Sequence, residues 1–222
     1  TIENTCCSSS QRTINYYLMK KFISQTLSII LHPVFIPLWF AIILINSGYF
    51  LNSFLNINFY QSYIWLLSII MIILPIIIVI FSRQLGLIES FDSSIPIDRI
   101  KILLIILLAS FFLYFFFKKF NVPLFYLLPI RISIILTILL AIFSTFMNVS
   151  IHSAGWMSLF SSLYVLQYRL MEINVVWIIV IIPILWGLAC YARHLAGKHN
   201  TLQLIAGGII GALTGLSIFF MR

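Results

Sequence analysis

Arg193, His194, Lys198 and His199 fall within seven residues of the stretch YARHLAGKHNTLQLIAGGIIG, in a chain of 222 residues with only 8% charged side chains. Ser150 and His152 stand two apart in NVSIHS, and Arg99 ends the run SIPIDR. Brought together, residues of these types suit an oxyanion. Arginine offers planar, paired donors that match phosphate oxygens. Histidine changes charge near neutral pH and serves as nucleophile or as acid. Taken singly, each has a plainer reading: the arginines as anchors at helix ends, His152 and His199 as interfacial rings bonded to backbone carbonyls. His32, before Pro33, reads as structural. His194 is given no role, because a helical loop turns it away from His199.

The elements that must position these groups are membrane helices. Hydrophobic residues make up 62% of the chain, more than a soluble domain can bury behind a polar surface. From Phe22 to Ser82 there is no Asp, Glu, Lys or Arg, and one crossing takes about 20 apolar residues. A polar tail over 1–21 precedes a single transmembrane domain over 22–222. Seven apolar segments are expected as helices, at 22–46, 62–82, 101–118, 126–147, 154–170, 174–192 and 200–221, since open strands leave their backbone unsatisfied in lipid. The fold class is an all-α, polytopic transmembrane bundle. The fifth segment is short and rich in serine, and reads either as a tilted helix inside the bundle or as a re-entrant segment. No inverted repeat of the transporter type is evident.

The net charge is +8, with 13 Lys and Arg against 5 Asp and Glu. The basic residues are scattered, as loop and interface anchors are, so nucleic acid is not an expected partner. Three cysteines make no disulfide framework; Cys6 and Cys7 lie in the polar tail.

Counting crossings groups the loops. With the N-terminus on side A, the segments 83–100, 148–153 and 193–199 all return to side A. Arg99, Ser150, His152, Arg193 and His199 are therefore expected at one membrane face. Lys118, Lys119, Arg131, Arg169 and Glu172 fall on side B. The distribution of Lys and Arg leaves the orientation open, and the expected location is a multi-pass protein of a bacterial inner membrane.

The spacing resembles that of the type 2 phosphatidic acid phosphatase superfamily of membrane lipid phosphatases. Its three motifs are Lys-x6-Arg-Pro, Pro-Ser-Gly-His and Ser-Arg-x5-His-x3-Asp. The third corresponds to ARHLAGKHNTLQ, with Arg193, Gly197, His199 and, at the aspartate position, Gln203. The second corresponds to VSIH, with Ser150 and His152 matching and Val149 and Ile151 departing. The first is matched by Arg99 alone, with Asp92 at the lysine position and Ile100 at the proline position. Familiar members have six crossings; here two more helices separate the first two motifs, which preserves sidedness.

The resemblance implies that His199 attacks phosphorus to form a phosphohistidine and that His152 protonates the leaving alcohol. It implies that Arg193, Arg99 and Ser150 hold the phosphate oxygens, without metal or cofactor. Gln203 can fix the His199 tautomer but brings no charge to stabilise an imidazolium; Asp92 or Asp98 could supply one. The implied substrate is a phosphate monoester or pyrophosphate of a membrane lipid. The alternative is a catalytically degenerate member of the same fold, acting as a subunit or lipid-binding partner. A homo-oligomer or a larger membrane complex stays open. Gly207, Gly211 and Gly215 continue the helix face of His199 and Gln203, so their helix is expected to lie close to the one bearing His152.

Overall fold

The computed structural model describes residues 19–47, 56–89, 96–169 and 174–220. Most of the polar tail, with Cys6 and Cys7, lies outside the described residues, as do Asp92 and Glu172. Seven helical segments make up the bundle: α1 Met19–Ile45, α2 Ile57–Gln84, α3 Pro96–Lys119, α4 Leu124–Ser144, α5 Ile151–Arg169, α6 Val176–Leu195 and α7 Thr201–Phe220. No strand occurs among the described residues. All but α5 are long and apolar enough to cross a membrane, and the chain is a multi-pass integral membrane protein.

The helix ends extend beyond several of the apolar segments read from sequence. Pro96 can open α3 because the first turn of a helix has no use for its missing N–H. Asp98 and Arg99 thus sit on the first turn of α3 rather than in a loop. His152 likewise belongs to the first turn of α5, and Arg193 and His194 to the last turn of α6.

The serine-rich fifth segment is the centre of the bundle. Over 19 residues it spans about 28 Å at 1.5 Å per residue, so it is a full-length helix. Its low hydropathy follows from its position: it faces other helices rather than lipid, and most of its side chains are buried. Its hydroxyls bond inward. Ser153 Oγ donates to the Leu204 carbonyl at 2.7 Å and accepts from the Trp186 indole at 2.9 Å, which ties α5 to both α7 and α6. At the far end, Arg169 Nη1 donates to the Ile218 carbonyl at 2.9 Å, near the end of α7, where carbonyls lack intrahelical donors.

α7 is the closest neighbour of α5. A Cβ on Gly211 would overlap the Ala154 carbonyl, and one on Gly215 would overlap Ser161 Oγ and the Ser162 backbone. A Cβ on Gly207 would lie 2.5 Å from the Ser150 carbonyl oxygen. The two backbones approach as nearly as they do only because these side chains are absent.

α1 breaks in mid-course. Pro33 has no N–H, and the His32 N–H turns to the Ile29 carbonyl at 3.3 Å instead of the Ser28 carbonyl one residue earlier. The Phe35 N–H goes to the His32 carbonyl at 3.1 Å rather than to Leu31. The carbonyls of Ser28 and Leu31 are thereby released from the helix ladder. Both are taken by α5: His152 Nε2 lies 3.3 Å from the Ser28 oxygen, and Trp156 Nε1 donates to the Leu31 oxygen at 3.0 Å. His152 and Trp156 are one turn apart on α5, which sets them side by side. α2 carries a second irregularity, a π-type turn at Ile69–Ile73 just before Pro75.

Gly211→Ala is expected to lower the unfolding temperature in detergent by several degrees, since overpacking costs about 1–3 kcal/mol. Gly187→Ala, where an added Cβ meets nothing within 4 Å, is expected to leave it unchanged. Equal effects of the two substitutions would contradict the close α5–α7 approach.

Candidate functional site

At the end of the bundle where α3, α5 and α7 begin and α6 ends, a cavity of about 1100 Å³ opens between α1, α3, α4 and α5 and the α6–α7 turn. Arg99, His152, Arg193 and His199 all line it. They come from three stretches of chain far apart in sequence. Ser150 and Gln203 stand behind the wall.

The spacing of Arg193, His199 and Gln203 is produced by one helix end and one helix start. α6 closes with Gly197 in the left-handed region at φ 66°, while the Lys198 N–H returns to the Arg193 carbonyl at 3.2 Å and the Gly197 N–H to the His194 carbonyl at 2.9 Å. Glycine takes this conformation without strain. Asn200 then caps α7: its side-chain oxygen accepts the Gln203 N–H at 2.9 Å, and Gln203 Oε1 accepts the Asn200 N–H at 3.2 Å. This reciprocal capping box pins the Gln203 amide, because only its oxygen can accept from a backbone N–H. His199 Nδ1 lies 3.1 Å from the same oxygen. The proton therefore sits on Nδ1, and the Nε2 lone pair is left for other work.

The other members are held just as locally. Arg99 is almost wholly buried; its Nη2 donates to the Val149 carbonyl, and its Nε has no hydrogen-bond partner among the described residues. Ser150 is fully buried as the start of α5. Its Oγ accepts the Ser153 N–H at 3.4 Å, and its own N–H donates to the Gln203 carbonyl at 3.1 Å. Ser150 thus couples the α4–α5 turn to α7, and its hydroxyl is engaged in the cap. His152 spends its Nε2 proton on the Ser28 carbonyl, so Nδ1 is the nitrogen free to exchange protons.

Electrostatically the wall is one-sided. Arg193 interacts with His32, His152, His199 and Arg99 and lies at the centre of the group. Lys20, Lys21 and Lys198 line the mouth, and no Asp or Glu lines the cavity among the described residues. Asp98 is occupied elsewhere: its carboxylate accepts the Glu89 N–H at 2.9 Å and pairs with Lys101 at 3.6 Å. It supplies no charge to the His199 ring from the cavity wall. Among the described residues, no group of three or more His, Cys, Asp or Glu is placed to hold a metal ion.

Sequence reading missed two contributors. His32 lines the cavity, with its ring edge-to-face against His152 at 5.1 Å between centroids. Along the same face of α1 run Lys21, Ser24, Gln25 and Ser28, all lining the cavity. Their spacing of three to four residues was the available signal. It was hidden by reading α1 only for its length and apolarity. His194, on the last turn of α6, is exposed and is not part of the wall.

Burial holds the His199 imidazole below the usual histidine range, and Arg193 and Arg99 push in the same direction; the Gln203 amide and the Asn148 carbonyl pull upward without offsetting this. The ring is thus neutral at pH 7 and gains its proton only at a pH below the ordinary midpoint of 6.5. A pH titration of the ring by NMR is expected to give a midpoint under 6.5 in the native chain. Gln203→Glu keeps the capping box and adds a carboxylate, so the midpoint is expected to rise. A native midpoint above 6.5, or no rise in the variant, would contradict the arrangement. Compared with protein-family models, with curated proteins and with solved structures, the chain matches none.

Proposed function

We propose that this chain is a lipid phosphate phosphohydrolase of the membrane, working through His199 on the plan of the type 2 phosphatidic acid phosphatases. The observation that carries the reading is the cavity wall: two arginines and two histidines from separated segments meet around one space that holds no carboxylate. Such a wall favours an anion, and the arginines can share their donors among phosphoryl oxygens. Further in, the lining becomes apolar, with Phe40, Met71, Ile102, Ile132 and Leu136, which suits the chain of a lipid.

In this reading the lone pair of His199 Nε2 attacks phosphorus. The bond from phosphorus to the lipid oxygen breaks, and its electron pair stays on that oxygen. The oxygen takes a proton from His152 Nδ1, which the neutral ring first receives there from the monoprotonated phosphate group of the substrate, and the lipid leaves as an alcohol. Water then attacks the phosphohistidine, gives a proton back to His152 Nδ1, and the phosphorus–nitrogen pair returns to His199. Arg99 and Arg193 hold the transferring group, and fixed geometry supplies much of the rest.

One observation favours a second reading, a non-catalytic lipid-binding member of a larger assembly: the partner of His199 is the neutral Gln203. Loss of the comparable carboxylate from a serine protease triad costs about 10⁴ in turnover.

Purified protein in detergent, given phosphatidic acid or a polyprenyl pyrophosphate with chelator present, is expected to release inorganic phosphate slowly. His199→Ala is expected to abolish the release. Gln203→Glu is expected to raise it on the order of 10- to 10³-fold, part of the carboxylate effect above. Lipid binding without release in either the native chain or Gln203→Glu supports the second reading; neither binding nor release would sink both.

A further inference from the structure

His32 was read from sequence as a structural residue beside Pro33, and its surroundings give it more to do. The break in α1 leaves His32 extended, at φ −67° and ψ 131°, where it caps the turn Pro33–Phe35. Its Nδ1 accepts the Val34 N–H at 3.3 Å. A backbone N–H can only donate, so Nδ1 must carry a lone pair and the proton must sit on Nε2. The ring is accessible and lines the cavity. Nε2–H has no hydrogen-bond partner among the described residues, and it is the end of the ring left for a ligand.

The position of His32 along α1 is equally specific. On the cavity side, α1 runs Lys20, Lys21, Ser24, Gln25, Ser28 and Ile29 before His32, then Pro33, Val34, Ile36, Pro37 and Phe40 after it. Apart from Ile29, the lining changes from polar to apolar at this residue. At 1.5 Å per residue, the apolar stretch from His32 to Phe40 is about 12 Å long. A phosphorylated lipid with its phosphoryl group at Arg193 and His199 and its chain in the apolar half must carry its linking oxygen past this boundary.

We infer that His32 is a substrate-binding residue, a neutral hydrogen-bond donor of fixed tautomer that receives the ester oxygen joining the phosphoryl group to the lipid. This rests on the phosphohydrolase reading and names its substrate class more closely: phosphate esters of a lipid alcohol, with the chain held inside the protein. His32 does not itself give up a proton. A neutral imidazole donates a hydrogen bond without ionising, and in the proposed reaction the proton for the leaving oxygen comes from His152. The role of His32 is to favour negative charge as it develops on that oxygen.

The test uses the full chain in detergent, labelled with ¹⁵N-histidine, and two probes: lysophosphatidic acid, which has the linking oxygen and a chain, and inorganic phosphate, which has neither. His32→Asn keeps an oxygen able to cap Val34 N–H and removes the distal donor. In the free protein the His32 ring is expected as the Nε2–H tautomer. Lysophosphatidic acid is expected to shift the Nε2–H resonance, and phosphate to leave it in place. His32→Asn is expected to weaken lysophosphatidic acid by about three- to tenfold, the worth of one hydrogen bond, with phosphate affinity unchanged within about twofold.

An Nδ1–H tautomer, or equal weakening of both probes by His32→Asn, would overturn the inference while leaving the phosphate site intact. A native chain that binds neither probe would overturn the phosphohydrolase reading with it. If His32→Asn does not fold, the tautomer and the two ligand-induced shifts in the native chain decide the matter alone.

Discussion

A backbone carbonyl released inside a membrane protein has no water to turn to, and the break at Pro33 releases those of Ser28 and Leu31. Their capture by His152 and Trp156 fixes α1 against α5. Much of the site follows from that attachment. It brings His32 beside His152 and sets the polar face of α1 along the cavity. It also decides which nitrogen of each ring carries a proton. His152 must hold its proton on Nε2 because its partner is a carbonyl; His32 must hold it on Nε2 because its own Nδ1 accepts from Val34. The two rings have the same tautomer for opposite reasons.

α5 answers a second constraint. A helix at the centre of a bundle has neighbours along most of its surface, so it can carry serines that an outer helix would expose to lipid. Its hydroxyls bond α6 and α7, and the glycines of α7 let the two backbones close together. The result is a rigid unit in which the α4–α5 turn, the α6–α7 turn and the first turn of α3 lie at one end of the bundle. Arg99 reaches the Val149 carbonyl and Ser150 reaches Gln203. Arg99 and Ser150 are thus fixed by backbone contacts among separate segments, which leaves little room for reorganisation at this end of the bundle.

Much of this was legible in the sequence because the physics involved is one-dimensional. Six of the seven helices follow from runs of apolar residues long enough to cross, the serine-rich fifth from its place between them, and shared sidedness follows from counting all seven. The spacing of Arg193, Gly197, His199 and Gln203 encodes a helix end followed by a capping box, both local motifs. What escaped was tertiary. Nothing in the run IILHPVF says that the carbonyls freed by Pro33 will be met by α5, so His32 read as a structural residue rather than as part of a wall. Ser150 matched a spacing, but its hydroxyl serves the cap of its own helix. Asp98 could be numbered as a source of charge for His199, yet its partners are Glu89 N–H and Lys101. Periodicity shows which face a residue shares, not which neighbour claims it.

The central claim is that one oxyanion site lies at the cavity wall between Arg99, Arg193 and His199. A heavy oxyanion such as tungstate, located by its anomalous scattering in crystals of the native chain, tests this most directly. The expected result is a single strong peak against the guanidinium of Arg193 and within reach of His199 Nε2, lost in Arg193→Ala. A peak bound only to the lysines at the mouth, or on the opposite face of the bundle, would contradict it.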